Sequence, residues 1–358
     1  MVLDFAKEAI ENSDTHSINF DELRAGKANI KVIGVGGMGG NAVTWLFNKG
    51  INGATIYAAN TDALHLSVTK ADEKLLIGKE LTRGLGCGGV PTRGREAAKE
   101  ALVDVKKAVG GADMVFVIAG MGGGTGTGAA PVVAQIAKES GAVVISVVTM
   151  PFEAEKARID KAEFGLQELR DVSDTCIVLD NNRLVDIAGQ LPIEQAFAVA
   201  NELVSTMVKG IVETITLPSL INLDYADVSA IMRDGGVAVI GIGESDQSDR
   251  VNEAVKQALT HPLLDVDYRG ASGALIHITC GPDLKLEEFD LIGRIVSENL
   301  SADAQVIIGA RISKEFVGKV RVITIMTGIK SPYVLGKNIE ESQQISKEVS
   351  DLGIEVWR

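Results

Sequence analysis

Seven residues, Gly122-Gly-Gly-Thr-Gly-Thr-Gly128, limit what this chain can fold into more than any other stretch. They follow the apolar run Met114 to Ala119, which reads as a buried strand, and they precede Val132 to Lys138, which reads as a helix. Five glycines among seven residues free the backbone for positive φ angles and let it approach a ligand with no Cβ in the way. Successive amide N–H groups then converge on one anion, Thr125 and Thr127 add hydroxyls, and the following helix brings the positive end of its dipole to the same place. This is the pattern of a phosphate cradle. A Walker A loop would end in Gly-Lys-Ser/Thr, and no lysine is present, so the positive charge must come from amides, a dipole and a bound cation.

Two further glycine-rich stretches precede it. The strand Asn29 to Gly34 runs into Gly34-Val-Gly36-Gly37-Met38-Gly39-Gly40-Asn41 and then into a helix expected from Ala42 to Asn48. Its Gly-X-Gly-X-X-Gly spacing also fits a dinucleotide-binding turn, but that reading wants an acidic residue ending the second strand. Ala54 to Ala59 is instead followed by Asn60-Thr61-Asp62. The third stretch, Arg83 to Pro91, leads into a helix expected over Thr92 to Ala108. Three such loops, each before a helix, are expected to meet at the strand ends of one parallel sheet.

The rest of the chain sets bounds. An apolar fraction of 46% with 39 glycines and 4% aromatics suits an α/β protein with many strand-to-helix turns. A net charge of −13 argues against nucleic-acid or anionic-membrane surfaces, which need a basic face, so an anionic ligand must be held locally. No apolar run approaches the roughly 18 residues of a membrane span, and Cys87, Cys176 and Cys280 form no close pair, which suits a reducing cytoplasm. The four histidines show no metal-ligand spacing. Glu155 and Arg158, three apart on a helix, read from spacing as a surface ion pair. Pro192 to Thr216 is the longest helical pattern, bracketed by Pro192 and Pro218, with apolar residues on more than one face. It is expected to pack on two domains. Asp224 and Asp227 read as a cap and a dipole partner of a short helix. Beyond it, four strands and two helices suggest a separate α/β domain with a mixed sheet.

Gly122 to Gly128 resembles the tubulin signature, and its frame Gly120 to Pro131 is similar to the form found in the FtsZ family of prokaryotic cell-division GTPases. Gly34 to Asn41, Asn60-Thr61-Asp62, Gly84 to Pro91, Pro151-Phe152 and Asn222 to Val228 resemble further motifs of that family in the same order, so the likeness runs from Asn29 to Ile329. It implies a Rossmann-like parallel-sheet GTPase domain, a long central helix and a second α/β domain. The corresponding bounds are an N-terminal extension 1–28, a GTP-binding domain 29–191, a central helix 192–217, a C-terminal domain 218–330 and a tail 331–358. It implies GTP and GDP held by Gly36, Gly37, Met38, Gly39, Gly40, Asn41, Gly88, Gly89, Gly123, Gly124, Thr125, Gly126 and Thr127. Glu155 and Arg158 fall at ribose and phosphate contacts, Phe197 beside the base, and Asn201 at the guanine edge. Asn222, Asp224 and Asp227 would complete the catalytic site of a neighbouring subunit in a head-to-tail filament. Mg²⁺, with K⁺ as a further candidate, would offset phosphate charge. The implied setting is cytoplasmic, at a mid-cell division ring, with membrane-tethering adaptors as partners, no nucleic acid and no membrane insertion. The short polar tail suits an archaeal or otherwise short-tailed member. Two other readings remain: an NAD-dependent oxidoreductase using Gly34 to Gly39, and a tubulin-like GTPase regulator outside division.

Overall fold

The computed structural model describes residues 28–329, apart from Pro218, Asn222, Asp234, residues 261–267, Asn299 and the side chains of Asp186 and Ile187. The expected N-terminal arm, the tail and Asn222 therefore lie outside the described residues.

The first half alternates strand and helix: β1 (Ile30–Val35), α1 (Gly36–Lys49), β2 (Ala54–Asn60), α2 (Ala63–Val68), β3 (Glu73–Leu76), α3 (Lys79–Thr82), α4 (Pro91–Glu100), α5 (Leu102–Val109), β4 (Met114–Gly120), α6 (Thr125–Glu139), β5 (Val143–Met150), α7 (Ala157–Val172) and β6 (Thr175–Asp180). These strands pair in parallel in the order β3-β2-β1-β4-β5-β6. Parallel strands buried on both faces need near-continuous apolar runs; β4 supplies one, and β1 and β5 are interrupted only by Lys31 and by Ser146 and Thr149. The chain order reverses between β1 and β4, and their helices leave from the same edge. A crevice for a ligand belongs at that switch point.

The second half comprises α8 (Asn181–Ala188), α9 (Ile193–Thr216), α10 (Tyr225–Met232), β7 (Gly236–Ser245), α11 (Arg250–Leu259), β8 (Gly273–Cys280), α12 (Leu286–Ser297), β9 (Gln305–Ile312) and β10 (Val320–Thr327). Its strands have the expected mixed pairing, but they do not stand apart from the first sheet. They extend the first one in the order β7-β10-β8-β9, antiparallel on both sides of β10 and parallel between β8 and β9. The seam is short: only Thr175, Cys176 and Ile177 of β6 pair with Gly236, Val237 and Ala238 of β7.

One helix bridges the seam. α9 is 24 residues long, about 36 Å. Its buried Val204, Met207, Val208, Ile211 and Val212 join one apolar cluster with Ile118, Ile145 and Ile177 of the parallel strands and with Ile240, Leu275, Ile323 and Ile325 of the mixed strands. A second cluster fills the other face of the parallel sheet under α4 to α7, and a third lies under α11 and α12. The two-sided packing expected of the long helix is present, and it makes the two halves one scaffold.

α9 also has a direction. Near its start, Phe197 meets Phe152 edge-on at 6.1 Å between centroids, just past the carboxyl end of β5. At its end, the Thr216 hydroxyl donates to the Asn52 carbonyl, just before the amino end of β2. The helix therefore spans the height of the sheet and delivers the chain to the opposite edge.

Candidate functional site

Both helices at the switch point begin earlier than the sequence pattern indicates. α1 starts at Gly36 rather than Ala42, and α6 starts at Thr125 rather than Val132. Glycine disfavours helix by about 1 kcal/mol per residue, so propensity alone places these starts late. Packing overrides it here. The consequence is that the amides of the glycine runs are themselves helix N-termini, with their first N–H groups unpaired within the helix and directed out of it.

The central glycines serve close approach more than unusual backbone angles. Between Gly122 and Gly128 only Gly122 has a positive φ, of 91°. At Gly128 a Cβ would lie 1.9 Å from the Pro91 carbonyl oxygen, so α6 and α4 touch backbone to backbone. Gly123 differs: a Cβ there would meet no protein atom within 4 Å, and its φ is not positive. The chain's own geometry gives no reason for glycine at that position. An open face beside a helix N-terminus is where a phosphate oxygen can come close.

A buried threonine ties two of these loops together. Thr61, fully buried in the turn after β2, shares a hydrogen bond of 2.7 Å between its Oγ1 and Thr125 Oγ1, and Cys87 Sγ donates to the same oxygen at 3.4 Å. Gly86 N–H donates to the Thr61 carbonyl. On the far side, Lys161 Nζ donates to the Gly89 carbonyl at 2.8 Å, bracing the Gly88–Gly89 loop from α7. The sequence marks Thr61 as part of the motif Asn60-Thr61-Asp62, with no periodicity to mark its burial. The two cradle threonines stand differently from a pair of free donors. The Thr125 hydroxyl is engaged with Thr61, while Thr127 is buried against Gly165 and its hydroxyl has no partner. The donors facing outward are chiefly amides.

Asn60-Thr61-Asp62 also decides the dinucleotide question. Asp62 caps α2, its Oδ1 accepting the His65 N–H at 3.0 Å. The carboxylate needed for a cofactor ribose is thus committed to a helix end.

Glu155 and Arg158 do form an ion pair, and Glu155 Oε1 also accepts the Phe152 N–H, closing a 3₁₀ turn over Glu153–Glu155. Arg158 stays largely exposed, with its Cβ 3.0 Å from where a Gly122 Cβ would be. Phe152, Leu184, Ala188, Leu191 and Phe197 line a cavity of about 250 Å³. Asn201 lies one turn beyond Phe197 on the same face of α9. Next to it, burial works against the Glu202 carboxylate, but hydrogen bonds from Lys49, Trp45 and Thr206 prevail and hold it below the usual carboxylate range. Glu202 is thereby a clamp between α9 and α1.

Asp224 and Asp227 are elsewhere. Asp224 caps α10, its Oδ1 accepting the Asp227 N–H at 2.8 Å, as spacing indicated. Among the described residues nothing donates to the Asp227 carboxylate. The adjacent Tyr225 hydroxyl donates to the Asp113 carbonyl at 2.7 Å, and Asp113 immediately precedes β4. The cradle follows the other end of that strand. Seven residues of β4 separate the two places by roughly 20 Å. The acids and the amide cradle occupy opposite edges of one sheet.

The described residues contain no group of three or more His, Cys, Asp or Glu able to hold a metal ion, and no helix among them is long and apolar enough to cross a membrane. The three cysteines are buried and unbonded to one another.

Comparison with known proteins supplies a frame for this geometry. Residues 29–189 match the GTPase domain of the Tubulin/FtsZ family, and residues 236–330 match the FtsZ family C-terminal domain. The chain is 52% identical over 356 residues to cell division protein FtsZ 2 of Methanocaldococcus jannaschii, covering 98% of this chain and 93% of that one. It is 54% identical over 309 residues to cell division protein FtsZ 1 of Pyrococcus furiosus, covering 86% and 83%. An empty FtsZ dimer from M. jannaschii superposes with a TM-score of 0.81 at 49% identity, over 90% of this chain and 92% of that chain. CetZ2 of Haloferax volcanii, a protofilament with GTPγS, shares the fold at a TM-score of 0.75 and 23% identity, over 91% and 99%.

Proposed function

The chain belongs to the tubulin/FtsZ family, as an FtsZ-type cell-division GTPase, and from that premise we propose how its two edges divide the work. GTP lies across the switch point between β1 and β4. The amides of Gly36 to Gly40, Gly88–Gly89 and Gly123 to Thr127 hold its phosphates, with Asn41 at the rim. The ribose lies by Glu155 and Arg158. The base enters the cavity beside Phe197, and Asn201 reads its edge. Magnesium fits the cradle only as a companion of the phosphates, because the loops offer amides and hydroxyls rather than a set of acids; potassium would neutralise charge in the same way.

The observation that carries the reaction is the strand-length separation of the acids from the cradle. No bending of one chain brings Asp227 to its own nucleotide, since both are fixed to the ends of β4. A second copy stacked head to tail presents its Asp224–Asp227 loop to the first copy's cradle. There Asp227, with Asp224 beside it, orients a water and takes its proton as the water attacks the γ-phosphorus. The bond to the bridging oxygen breaks, and GDP and phosphate remain. A heterologous contact of this kind does not close on itself, so it propagates as a filament.

Around α9 we divide the chain into a GTP-binding part 29–191, a central helix 192–217 and a C-terminal part 218–330. At the cellular level the proposal places the filament in the cytoplasm at the mid-cell division ring, tethered by membrane adaptors. The test is GTP turnover per subunit against protein concentration, with magnesium present. A threshold followed by rising specific activity is expected. Specific activity independent of concentration would end hydrolysis across a contact.

A further inference from the structure

His65 is a side chain near the cradle that the family motifs leave without a role. It lies on α2, half-buried, and its ring is surrounded by Asn60, Thr69, Asn41 and Gly40. A Cβ on Gly40 would come within 3.0 Å of the ring carbon Cε1, so the ring rests directly on the backbone of α1.

The polarity of this cluster follows from one backbone amide. Asp62 N–H donates to Asn60 Oδ1 at 3.2 Å, which fixes the orientation of the Asn60 side-chain amide. Asn60 Nδ2 then faces His65 Nδ1 at 3.3 Å, and because an amide nitrogen only donates, Nδ1 must accept. The neutral ring therefore carries its hydrogen on Nε2. Nε2 is 3.2 Å from Asn41 Oδ1 and donates to it. The opposite tautomer would place two donors against each other at Asn60 and two acceptors against each other at Asn41, with only a 3.5 Å approach to Thr69 Oγ1 in return. With Asn41 Oδ1 held by His65, its Nδ2 must point the other way. Among the described residues that nitrogen donates to nothing, and Asn41 is exposed beside the glycine run of α1.

We infer that His65 is a positioning residue for nucleotide binding: as the Nε2–H tautomer it locks the Asn41 amide with its NH₂ toward a phosphate oxygen of the guanine nucleotide. The inference rests on the placement of Asn41 at the phosphate cradle. The order Asp62 N–H, Asn60, His65, Asn41 is a relay of hydrogen bonds that all run in one direction. It turns an amide that could face either way into a fixed donor, which selects for an anionic acceptor over a donor at the same point.

The test is equilibrium binding of GTP, GDP and guanosine to the full chain and to H65A, H65Q, N41A and the H65A/N41A pair. H65A is expected to weaken GTP and GDP about tenfold and guanosine hardly at all. H65Q keeps a donor toward Asn41 and should return to within about twofold of the parent. The double variant should bind no worse than N41A, because one side chain acts through the other. Additive losses in the double variant, or an H65A that binds normally while N41A is weak, would overturn the relay alone. A normal N41A would remove Asn41 from the cradle, and the relay would fall with it. Nitrogen-15 imidazole shifts, assigned among the four histidines by H65Q, read the tautomer independently of binding. A hydrogen on Nδ1 in the neutral ring would refute it.

Discussion

The two edges of the sheet are chemically complementary and separately incomplete. At the carboxyl ends of β1 and β4 the chain presents chiefly amides and helix N-termini. At the amino end of β4, α10 presents Asp224 and Asp227 with no cradle beside them. In the proposed reaction each edge supplies half of a hydrolysis. The difference teaches that the scaffold between them matters as much as either: β4 sets their separation, and α9, running between the same two edges, keeps the two ends of the molecule in register.

Breaking the acidic edge should have the largest effect. D227A is expected to lower GTP turnover by ~10²–10⁴-fold, the usual worth of a positioned acid–base group, while leaving GTP affinity unchanged because the cradle is a strand's length away. Mixing D227A with N41A should restore part of the activity. In that pair the intact cradle of one copy can meet the intact acid of the other. A D227A protein that loses nucleotide binding as well would mean that the edges are not separate.

The scaffold between the edges has its own weak point. His277 on β8 lines a cleft of about 320 Å³ between α9 and the mixed strands, together with Lys209, Glu213 and Arg311. Burial, and after it the neighbouring Arg311 cation, push its imidazole down to about 4. In the unfolded chain the group takes up its proton near 6.5. From 6.5 down to 4 the unfolded state therefore binds more protons than the folded one, and stability falls as the pH falls, by about 3 kcal/mol at most. Urea unfolding midpoints measured across that range should drop in the parent and stay flatter in H277N. Equal slopes would show that other groups set the acid limit.

Much of this arrangement is legible in the sequence because buried parallel strands must be apolar throughout. Met114 to Ala119 and Asn29 to Gly34 announce β4 and β1 to within a residue or two, and Pro192 with Pro218 bracket α9 almost to its ends. Where the sequence misleads, a tertiary contact has overruled a local preference. The helix starts at Gly36 and Thr125 are hidden because glycine reads as loop, yet packing holds it helical. The stretch Thr92 to Ala108 breaks at Ala101 into α4 and α5 without a glycine or proline to signal it. The joining of the two sheets is invisible because it rests on the brief pairing of β6 with β7. At the proposed site, the glycine loops, Asn60-Thr61-Asp62, Asp224 and Asp227 come from motifs, whereas the contact of Thr61 with Thr125 and that of His65 with Asn41 join residues distant in sequence.

Glycine substitutions sharpen the comparison from the cradle side, because neighbouring glycines there answer to different constraints. G128A drives a methyl group into the backbone of α4, with 1.9 Å to the Pro91 oxygen and 2.7 Å to the Arg95 nitrogen, so α4 and α6 must part. About 1–3 kcal/mol of stability should be lost, readable as a lowered unfolding midpoint. G123A meets nothing within 4 Å and needs no positive φ, so its unfolding midpoint should move by no more than about 0.5 kcal/mol. Its affinity for GTP is the informative quantity. A protein that folds like the parent but binds GTP several-fold more weakly would place the nucleotide in the space that the chain leaves open at that position. Unchanged affinity would move the phosphates elsewhere along the cradle, leaving Gly123 as a glycine that neither the fold nor the ligand requires.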